Sequence, residues 1–258
     1  MMLGVIQGLT EFLPVSSSAH LILLPRYFGW VDPGLAFDVA LHLGTLLGVL
    51  IYFREELGVL LKSILFYKEA ARASDRVLVG NIILATIPGA LAGLLLEHRA
   101  ESTFRSPLLI AYTLIVMGAL LWLADHFGKG TKGIKDITFR TALVLGVAQS
   151  LALIPGVSRS GITITLGLAF GLERKAAARF SFLMSIPIIA GAGLLKAKAI
   201  WLTPDKMALA AGFAASALAG FFAIWILMRC VERYRYTPFA VYRWALGLFV
   251  LLNLSHFE

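Results

Sequence analysis

Charged residues are scarce in this 258-residue sequence, and cysteine occurs once. Only 15% of the residues are charged, whereas a soluble domain carries about a quarter, and the mean hydropathy is +0.84. This composition predicts a protein surrounded by lipid rather than by water. The lone Cys230 excludes an intramolecular disulfide and a cysteine-based metal cluster. The sequence also lacks a Walker phosphate loop, a CxxC pair and an HExxH zinc motif.

The net charge of +8 could indicate a nucleic-acid partner. However, most of the 23 lysines and arginines lie in short loops between apolar runs, at 54–76, 127–140, 171–179 and 229–236. This distribution is typical of membrane topology, and the positive-inside rule predicts that these loops face the cytoplasm. We therefore expect no nucleic-acid partner. The N-terminus has no basic region before its apolar run, so we expect part of the fold there and not a signal peptide.

Six apolar runs have roughly the length of a transmembrane helix, which needs about 20 residues. They are 36–53, 76–96, 107–126, 179–196, 207–228 and 239–254, and the last is slightly short. Residues 57–67 are too few to span a bilayer, so we expect them to lie along the cytoplasmic interface.

Two further stretches, 1–28 and 140–171, are near-copies of each other, and each has a proline near its middle followed by serines. The matched positions are Leu3-Gly4-Val5 with Leu145-Gly146-Val147, Gln7 with Gln149, and Val15-Ser16 with Val157-Ser158. Proline biases the preceding residue out of the helical region, and Ser16 and Ser158 suit the N-caps of new helices. Two half-helices of about 12 residues, each about 18 Å long, would form a re-entrant hairpin. One kinked span per stretch is the alternative.

With hairpins, each half of the chain has three spans, so the second half starts from the opposite face of the membrane. The sequence then predicts an all-α polytopic membrane protein with an inverted-topology repeat, six transmembrane helices and two re-entrant helical hairpins. We expect a single membrane domain over residues 1–258, with repeat 1 at 1–126 and repeat 2 at 140–254. Both termini and the entry of the first hairpin would lie outside the cytoplasm.

The first break combines an acid, hydroxyls and an imidazole. Gln7 and Glu11 share one helix face, and a carboxylate at membrane depth is a functional candidate because its desolvation is costly. Ser17 and His20, three residues apart, suit a nucleophile with its base or two phosphate ligands. The alternatives are that Glu11 is a hydrated interfacial residue, and that the serines are caps beside a core histidine.

The second break carries the opposite charge, in Ser158-Arg159-Ser160 with Thr163 one turn later. The planar guanidinium of Arg159 matches phosphate oxygens, although Arg159 could also be the buried partner of Glu11. Together with two helix N-termini, these groups predict a site for a diphosphate on a lipid. A bridging Mg²⁺ or Ca²⁺ would reconcile the Glu11 carboxylate with the phosphates. Asp38 and His42, four residues apart, are a weaker pair, either supporting this site or forming a cap beside an interfacial histidine.

At this point the sequence resembles the undecaprenyl-pyrophosphate phosphatases, the bacitracin-resistance protein family. Two stretches of the sequence resemble the two signature motifs of that family. They are Gln7-Gly-Leu-Thr-Glu11 with the serine-rich stretch that follows, and Pro155-Gly-Val-Ser-Arg159-Ser-Gly-Ile-Thr163. The resemblance extends over essentially the whole chain. It implies a bacterial inner-membrane enzyme that removes the terminal phosphate of undecaprenyl pyrophosphate, with a divalent cation and a site open to the periplasm. Gln7 stands where the family often has glutamate, so we expect the ionic role at Glu11.

The residues and the resemblance together predict four catalytic residues, Glu11, Ser17, His20 and Arg159. The substrate-binding prediction comprises Gln7, Ser16, Ser158, Ser160 and Thr163, and the metal ligand is Glu11. The nucleophile is left open between Ser17, His20 and a metal-bound water. Two other functions compete with this one: a transporter or flippase for an anionic prenyl phosphate lipid, and a non-catalytic protein that binds lipid phosphates. The partners expected are the lipid substrate and membrane lipid, with a homodimer among the arrangements that the sequence leaves open.

Overall fold

The computed structural model describes residues 1–31, 34–101 and 103–257. The regular structure of this part of the chain is helical, as the sequence predicts. Its α-helices are α1 (Met2–Phe12), α2 (Ser17–Phe28), α3 (Leu35–Tyr52), α4 (Arg54–Leu65), α5 (Ala73–Glu101), α6 (Pro107–Phe127), α7 (Phe139–Gln149), α8 (Arg159–Ala169), α9 (Arg174–Leu202), α10 (Lys206–Cys230) and α11 (Thr237–Leu252). Short 3-10 segments join several of them.

Five of these helices, α3, α5, α6, α9 and α10, are long and apolar enough to cross a membrane. The sixth predicted span, 239–254, corresponds to α11, which has 16 residues and falls below the usual length of a span. Helices α5 and α9 have 29 residues each and extend well beyond the apolar runs predicted at 76–96 and 179–196. The prediction was too short there because a helix continues through charged residues once it leaves the apolar layer.

Each of the two proline-containing stretches forms a pair of helices that pack against each other, α1 with α2 and α7 with α8. Leu13 and Ile154, the residues before the prolines, are extended with ψ of 139° and 114°. The structure therefore has two separate helices in each stretch and not one kinked span. Ser16 and Ser158 are the N-caps, as predicted, and their hydroxyls accept from the backbone N–H of Ala19 and Gly161.

The segment predicted to lie at the interface, 57–67, falls largely within α4. This helix begins earlier than expected, at Arg54, directly after the turn residue Phe53 that ends α3. Its charged first turn contains Glu55 and Glu56, which an apolar window does not include. A short helix with a charged beginning and apolar later residues suits the membrane surface.

Helix packing brings the two broken stretches to the centre of the molecule. Helix α10 packs against α1 and α3, while α5 packs against α7 and α9. The backbone of α1 approaches α10 so closely that a Cβ atom at Gly4 would lie 2.2 Å from the Gly212 carbonyl oxygen. Glycine at such contacts lets helices approach closely in lipid. This close packing fixes the position of the C-terminal end of α1, which carries Glu11.

Candidate active site

The two breaks touch each other across the repeat. The backbone N–H of Gly156 donates to Ser16 Oγ at 3.1 Å. The hydroxyl of Ser160 lies 3.1 Å from the carbonyl oxygen of Glu11 and 3.2 Å from that of Leu13. The serine-rich ends of α2 and α8, which lie far apart in the sequence, therefore form one local structure.

Both N-cap serines have backbone dihedrals that L-residues rarely adopt. Ser16 has a φ of +74° and Ser158 has a φ of +71°, in a region that costs free energy and persists only where the surroundings impose it. Arg243 of α11 supplies part of that constraint. Its fully buried guanidinium donates to the carbonyls of Pro14 at 2.9 Å, Gly156 at 2.6 Å and Val157 at 3.0 Å.

Arg243 is not among the predicted site residues, although its signal is present in the sequence. It is an arginine inside the apolar run 239–254, and an ionisable residue at that depth is a functional candidate by the same argument that selected Arg159. The sequence repeat does not point to Arg243, because this residue lies outside both copies of the proline-serine motif.

A cavity of about 320 Å³ lies beside the two breaks. Its polar lining includes Glu11, Ser17, Asp38, His42, Ser158 and Arg159. Apolar side chains such as Leu21, Val39 and Ile189 complete the walls. Apolar walls with a few convergent polar groups are typical of a small-molecule binding site.

The Glu11 carboxylate is the centre of the polar contacts, and only 6% of the residue is exposed. Its Oε2 atom accepts from Ser17 Oγ at 2.6 Å and from Gln7 Nε2 at 3.0 Å. His42 Nε2 lies 3.3 Å from the same oxygen. The Oε1 atom accepts from the Arg159 guanidinium at 3.0 Å. The buried charge is therefore fully surrounded by donors, and the alternative of a hydrated interfacial carboxylate does not describe it.

Arg159 joins Glu11 to the neighbouring helix α9. One guanidinium nitrogen donates to Glu11 and the other donates to the Ser181 carbonyl at 2.8 Å. The side chain is 12% exposed and lines the cavity. Arg159 is thus the buried partner of Glu11, and because it also lines the cavity, its role as a phosphate ligand stays a prediction.

The predicted substrate-binding residues fall into two groups. Ser158 lines the cavity. Gln7, Ser16, Ser160 and Thr163 are instead buried and bonded to other parts of the protein. The Thr163 hydroxyl, for example, lies 2.8 Å from the Arg159 carbonyl and 2.7 Å from Ser181 Oγ. These four side chains support the residues that face the cavity.

His20 is the predicted catalytic residue that the structure separates from the others. Its Nδ1 atom lies 2.7 Å from the Ser16 carbonyl oxygen, and its Nε2 atom lies 2.7 Å from the Tyr242 hydroxyl. It lines a second, mostly apolar cavity between α1, α2 and α11. The imidazole beside Glu11 and Ser17 is that of His42, whose Nδ1 atom lies 2.7 Å from the Asp38 carbonyl oxygen. The weaker of the two histidine predictions therefore lies in the cavity.

The sequence is similar to a known protein family over nearly its whole length. The family model described as "Bacitracin resistance protein BacA" matches residues 1–249. The chain belongs to this family. Several proteins named undecaprenyl-diphosphatase are similar to this chain in sequence. That of Moorella thermoacetica is 50% identical over 249 residues, covering 96% of this chain and 94% of the relative. That of Alcanivorax borkumensis is 48% identical over 259 residues, covering 99% and 98% of the two chains.

For this member of the BacA family, the divalent cation predicted from the resemblance can be tested against the donor set. Among the side chains that the structure describes, no group of three or more His, Cys, Asp or Glu residues is arranged to hold a metal ion. The neighbours of the Glu11 carboxylate are hydrogen-bond donors, including the cationic guanidinium of Arg159. A site for Mg²⁺ or Ca²⁺ would instead have further oxygen ligands beside this carboxylate. These residues do not fit a divalent cation that is held by protein ligands alone.

Proposed function

We propose that this member of the BacA family is an integral membrane phosphatase that hydrolyses undecaprenyl pyrophosphate to undecaprenyl phosphate and inorganic phosphate. The names of its relatives support this substrate over a transported lipid. The observation that carries the chemistry is the 2.6 Å hydrogen bond from Ser17 Oγ to Glu11 Oε2, beside the Arg159 guanidinium. A hydroxyl, a carboxylate acceptor and an arginine are a nucleophile, its base and a phosphate ligand.

In the first step, the diphosphate enters the cavity and Arg159 moves part of its hydrogen bonding from Glu11 to the terminal phosphate. Ser17 Oγ attacks the terminal phosphorus while Glu11 Oε2 accepts the hydroxyl proton. The bond between that phosphorus and the bridging oxygen breaks, and undecaprenyl phosphate leaves. Arg159 and the first N–H groups of α2 and α8 stabilise the negative charge on the transferring phosphoryl group.

In the second step, water hydrolyses the phosphoserine. The Glu11 proton passed to the lipid phosphate as that group departed in the first step, so the carboxylate is free to accept a proton from water. The water oxygen then attacks phosphorus and the bond to Ser17 Oγ breaks. Glu11 Oε2 returns its proton to Ser17 Oγ, which restores the serine hydroxyl and the carboxylate, and inorganic phosphate leaves. His42 Nε2, at 3.3 Å from Glu11 Oε2, holds one carboxylate oxygen in place, while Arg159 contacts the other oxygen, Oε1, at 3.0 Å.

We also propose that the fold is the inverted repeat predicted from the sequence, as a single membrane domain with repeats at 1–126 and 140–254. The helix pairs support this symmetry. If α1 corresponds to α7, α3 to α9 and α5 to α10, then the contact of α1 with α10 matches that of α7 with α5. The contact of α3 with α10 matches that of α9 with α5 in the same way. The two hairpins would be re-entrant, with α11 as the sixth, shorter span.

The active cavity would open to the periplasm of the bacterial inner membrane. Its lining includes Leu35 and Arg105, which lie next to connections that the charge distribution places outside the cytoplasm.

Single cysteines in a Cys230→Ser background can test this orientation. A membrane-impermeant maleimide applied to whole spheroplasts should label Val31→Cys, at a position that is 90% exposed, and leave Lys129→Cys unlabelled until the membrane is opened. The reverse pattern would contradict the orientation.

The divalent cation, Mg²⁺ or Ca²⁺, is proposed to reach the cavity as a complex with the diphosphate, whose oxygens supply the ligands that the protein lacks. The rate of phosphate release should follow the concentration of the cation–diphosphate complex when total cation is varied. Calorimetry of the protein with Mg²⁺ alone should show no stoichiometric binding at micromolar concentrations. A stoichiometric ion bound without lipid would contradict this proposal.

The substitution Glu11→Gln should lower kcat about 100- to 1,000-fold, because removing a general base of this kind costs about 10²–10⁴ in rate. Glutamine retains the size of the side chain and can still accept from Ser17. A matched control is Glu56→Gln, which removes a carboxylate paired with Arg179 at 2.8 Å near α4. That variant should keep its turnover, and turnover close to that of the wild type in Glu11→Gln would remove the carboxylate from the proposed chemistry.

The experiment that tests the function uses purified protein in detergent, undecaprenyl pyrophosphate and Mg²⁺, and measures released phosphate. The same protein in liposomes is then assayed for movement of the lipid between leaflets. Turnover in detergent supports the phosphatase. Lipid movement without any phosphate release would establish the transporter instead.

A further inference from the structure

The His20 ring occupies a defined place between two polar groups on the side of α2 that faces α11. It stacks on the Tyr242 ring with the ring planes 9° apart and the ring centroids 5.7 Å apart. The second cavity, of about 440 Å³, lies beside the pair and is lined mostly by apolar side chains such as Leu9 and Phe249. His20 is itself buried, with 6% of its surface exposed.

The hydrogen bonds determine which ring nitrogen carries the proton. A carbonyl oxygen can only accept, so the 2.7 Å contact with the Ser16 carbonyl requires a proton on His20 Nδ1. In the neutral ring, Nε2 is then an acceptor, and the Tyr242 hydroxyl at 2.7 Å is its donor. Both nitrogens are therefore engaged, and neither is directed at Ser17.

The Ser16 carbonyl belongs to the peptide unit that leads into Ser17. That unit lies at the turn where Ser16 has its φ of +74°, so its orientation sets the direction of the Ser17 side chain. The next residue after Tyr242 is Arg243, which donates to the Pro14 carbonyl on the other side of the same turn. Two consecutive residues of α11 thus hold the turn from both sides, one directly and one through His20.

We infer that Tyr242 and His20 are positioning residues for Ser17: the Tyr242 hydroxyl fixes the tautomer of His20, and His20 Nδ1–H fixes the peptide that presents the Ser17 hydroxyl to Glu11. This inference deepens the proposed phosphatase function and rests on it. It assigns His20 a role in geometry and not in proton transfer. It also gives Tyr242 a role in the site through its contact with His20, and not through Glu11 or Arg159.

Asparagine at position 20 separates the two roles, because its amide nitrogen can occupy the place of Nδ1 and donate to the Ser16 carbonyl, but it cannot act as a base. We expect His20→Ala to lower kcat about 100-fold and His20→Asn to recover most of that loss, with KM changed less than twofold in both. Tyr242→Phe should lower kcat about three- to tenfold, in line with one lost hydrogen bond. The pH profile of kcat/KM should keep its shape in all three variants.

A double variant tests whether the two residues act in series. Once His20→Asn has removed the Tyr242 partner atom, adding Tyr242→Phe should cost less than twofold. The control is Tyr27→Phe. Tyr27 lines the same cavity, and the contacts described for its side chain are with aromatic rings, so this variant should retain wild-type rates. His20→Asn as inactive as His20→Ala, with an altered pH profile, would overturn the inference and make His20 a base.

An activity-independent measurement keeps this inference separate from the phosphatase proposal. ¹⁵N NMR of histidine-labelled protein, with the His20 signals assigned by their loss in His20→Asn, should show protonated Nδ1 and an Nε2 signal that shifts in Tyr242→Phe. If the wild type releases no phosphate, the proposed function fails, and the NMR result alone then decides the geometry. A His20 ring protonated at Nε2, or one insensitive to Tyr242→Phe, would overturn it.

Discussion

Replacing Ser17 by alanine should lower phosphate release by about 10⁴-fold or more, the scale seen when an enzyme loses its nucleophile. The Ser17 hydroxyl is held at Glu11 Oε2 by a 2.6 Å hydrogen bond, and in the proposed mechanism its oxygen forms the bond to phosphorus. Alanine keeps the Cβ atom of the serine, and the N-cap Ser16 is unchanged, so α2 should still form. Turnover is measured with undecaprenyl pyrophosphate under conditions that saturate the wild type.

The two other nucleophiles left open by the sequence predict different intermediates. An acid quench of wild-type protein with substrate labelled at the terminal phosphorus should leave acid-stable label on the protein, as phosphoserine. Phosphohistidine would be lost in acid, and direct attack by water would leave no label at all. Ser63→Ala is the matched control, because this buried serine donates only to the Leu60 carbonyl in α4, and it should retain both turnover and label.

The physical cost of charge in an apolar environment explains why part of this site was predictable. Glu11 and Arg159 stand out because each is expensive to bury alone, and the structure pairs them at 3.0 Å. The helix breaks were predictable for an equally local reason, since proline restricts the residue before it and serine caps the helix after it. Both N-caps are confirmed in the structure.

The spacing of residues within one segment could not predict which histidine, His20 or His42, lies beside Glu11. The spacing predicts Ser17 and His20 on one face of α2. However, helical side chains lean toward the N-terminus, and the His20 ring reaches back to the Ser16 carbonyl. The imidazole in the cavity comes from His42 on α3, and its approach to Glu11 depends on how α3 packs against α1. Contacts of that kind are set by tertiary packing and leave no mark in the spacing of either segment.

Replacing Arg159 by alanine should lower kcat/KM by about 10³-fold or more, the range over which an arginine stabilises a transferring phosphoryl group. Arg159→Lys should recover only a small part of this loss. One guanidinium nitrogen holds the Ser181 carbonyl at 2.8 Å while another reaches Glu11 at 3.0 Å, and a lysine ammonium cannot donate in two fixed directions at that spacing. Steady-state phosphate release by both variants measures the effect.

Removing Arg159 also leaves the buried Glu11 carboxylate without its cation, which destabilises the fold as well as the chemistry. Arg174→Gln supplies the control, because Arg174 pairs with the buried Asp125 at 2.5 Å near the C-terminal end of α8, whereas the active cavity lies at its N-terminal end. It should lower the unfolding temperature comparably while kcat is retained. If Arg159→Ala and Arg174→Gln reduce activity equally, Arg159 acts only through stability. If only Arg159→Ala loses turnover, the arginine acts on the phosphate, as its place in the cavity wall implies.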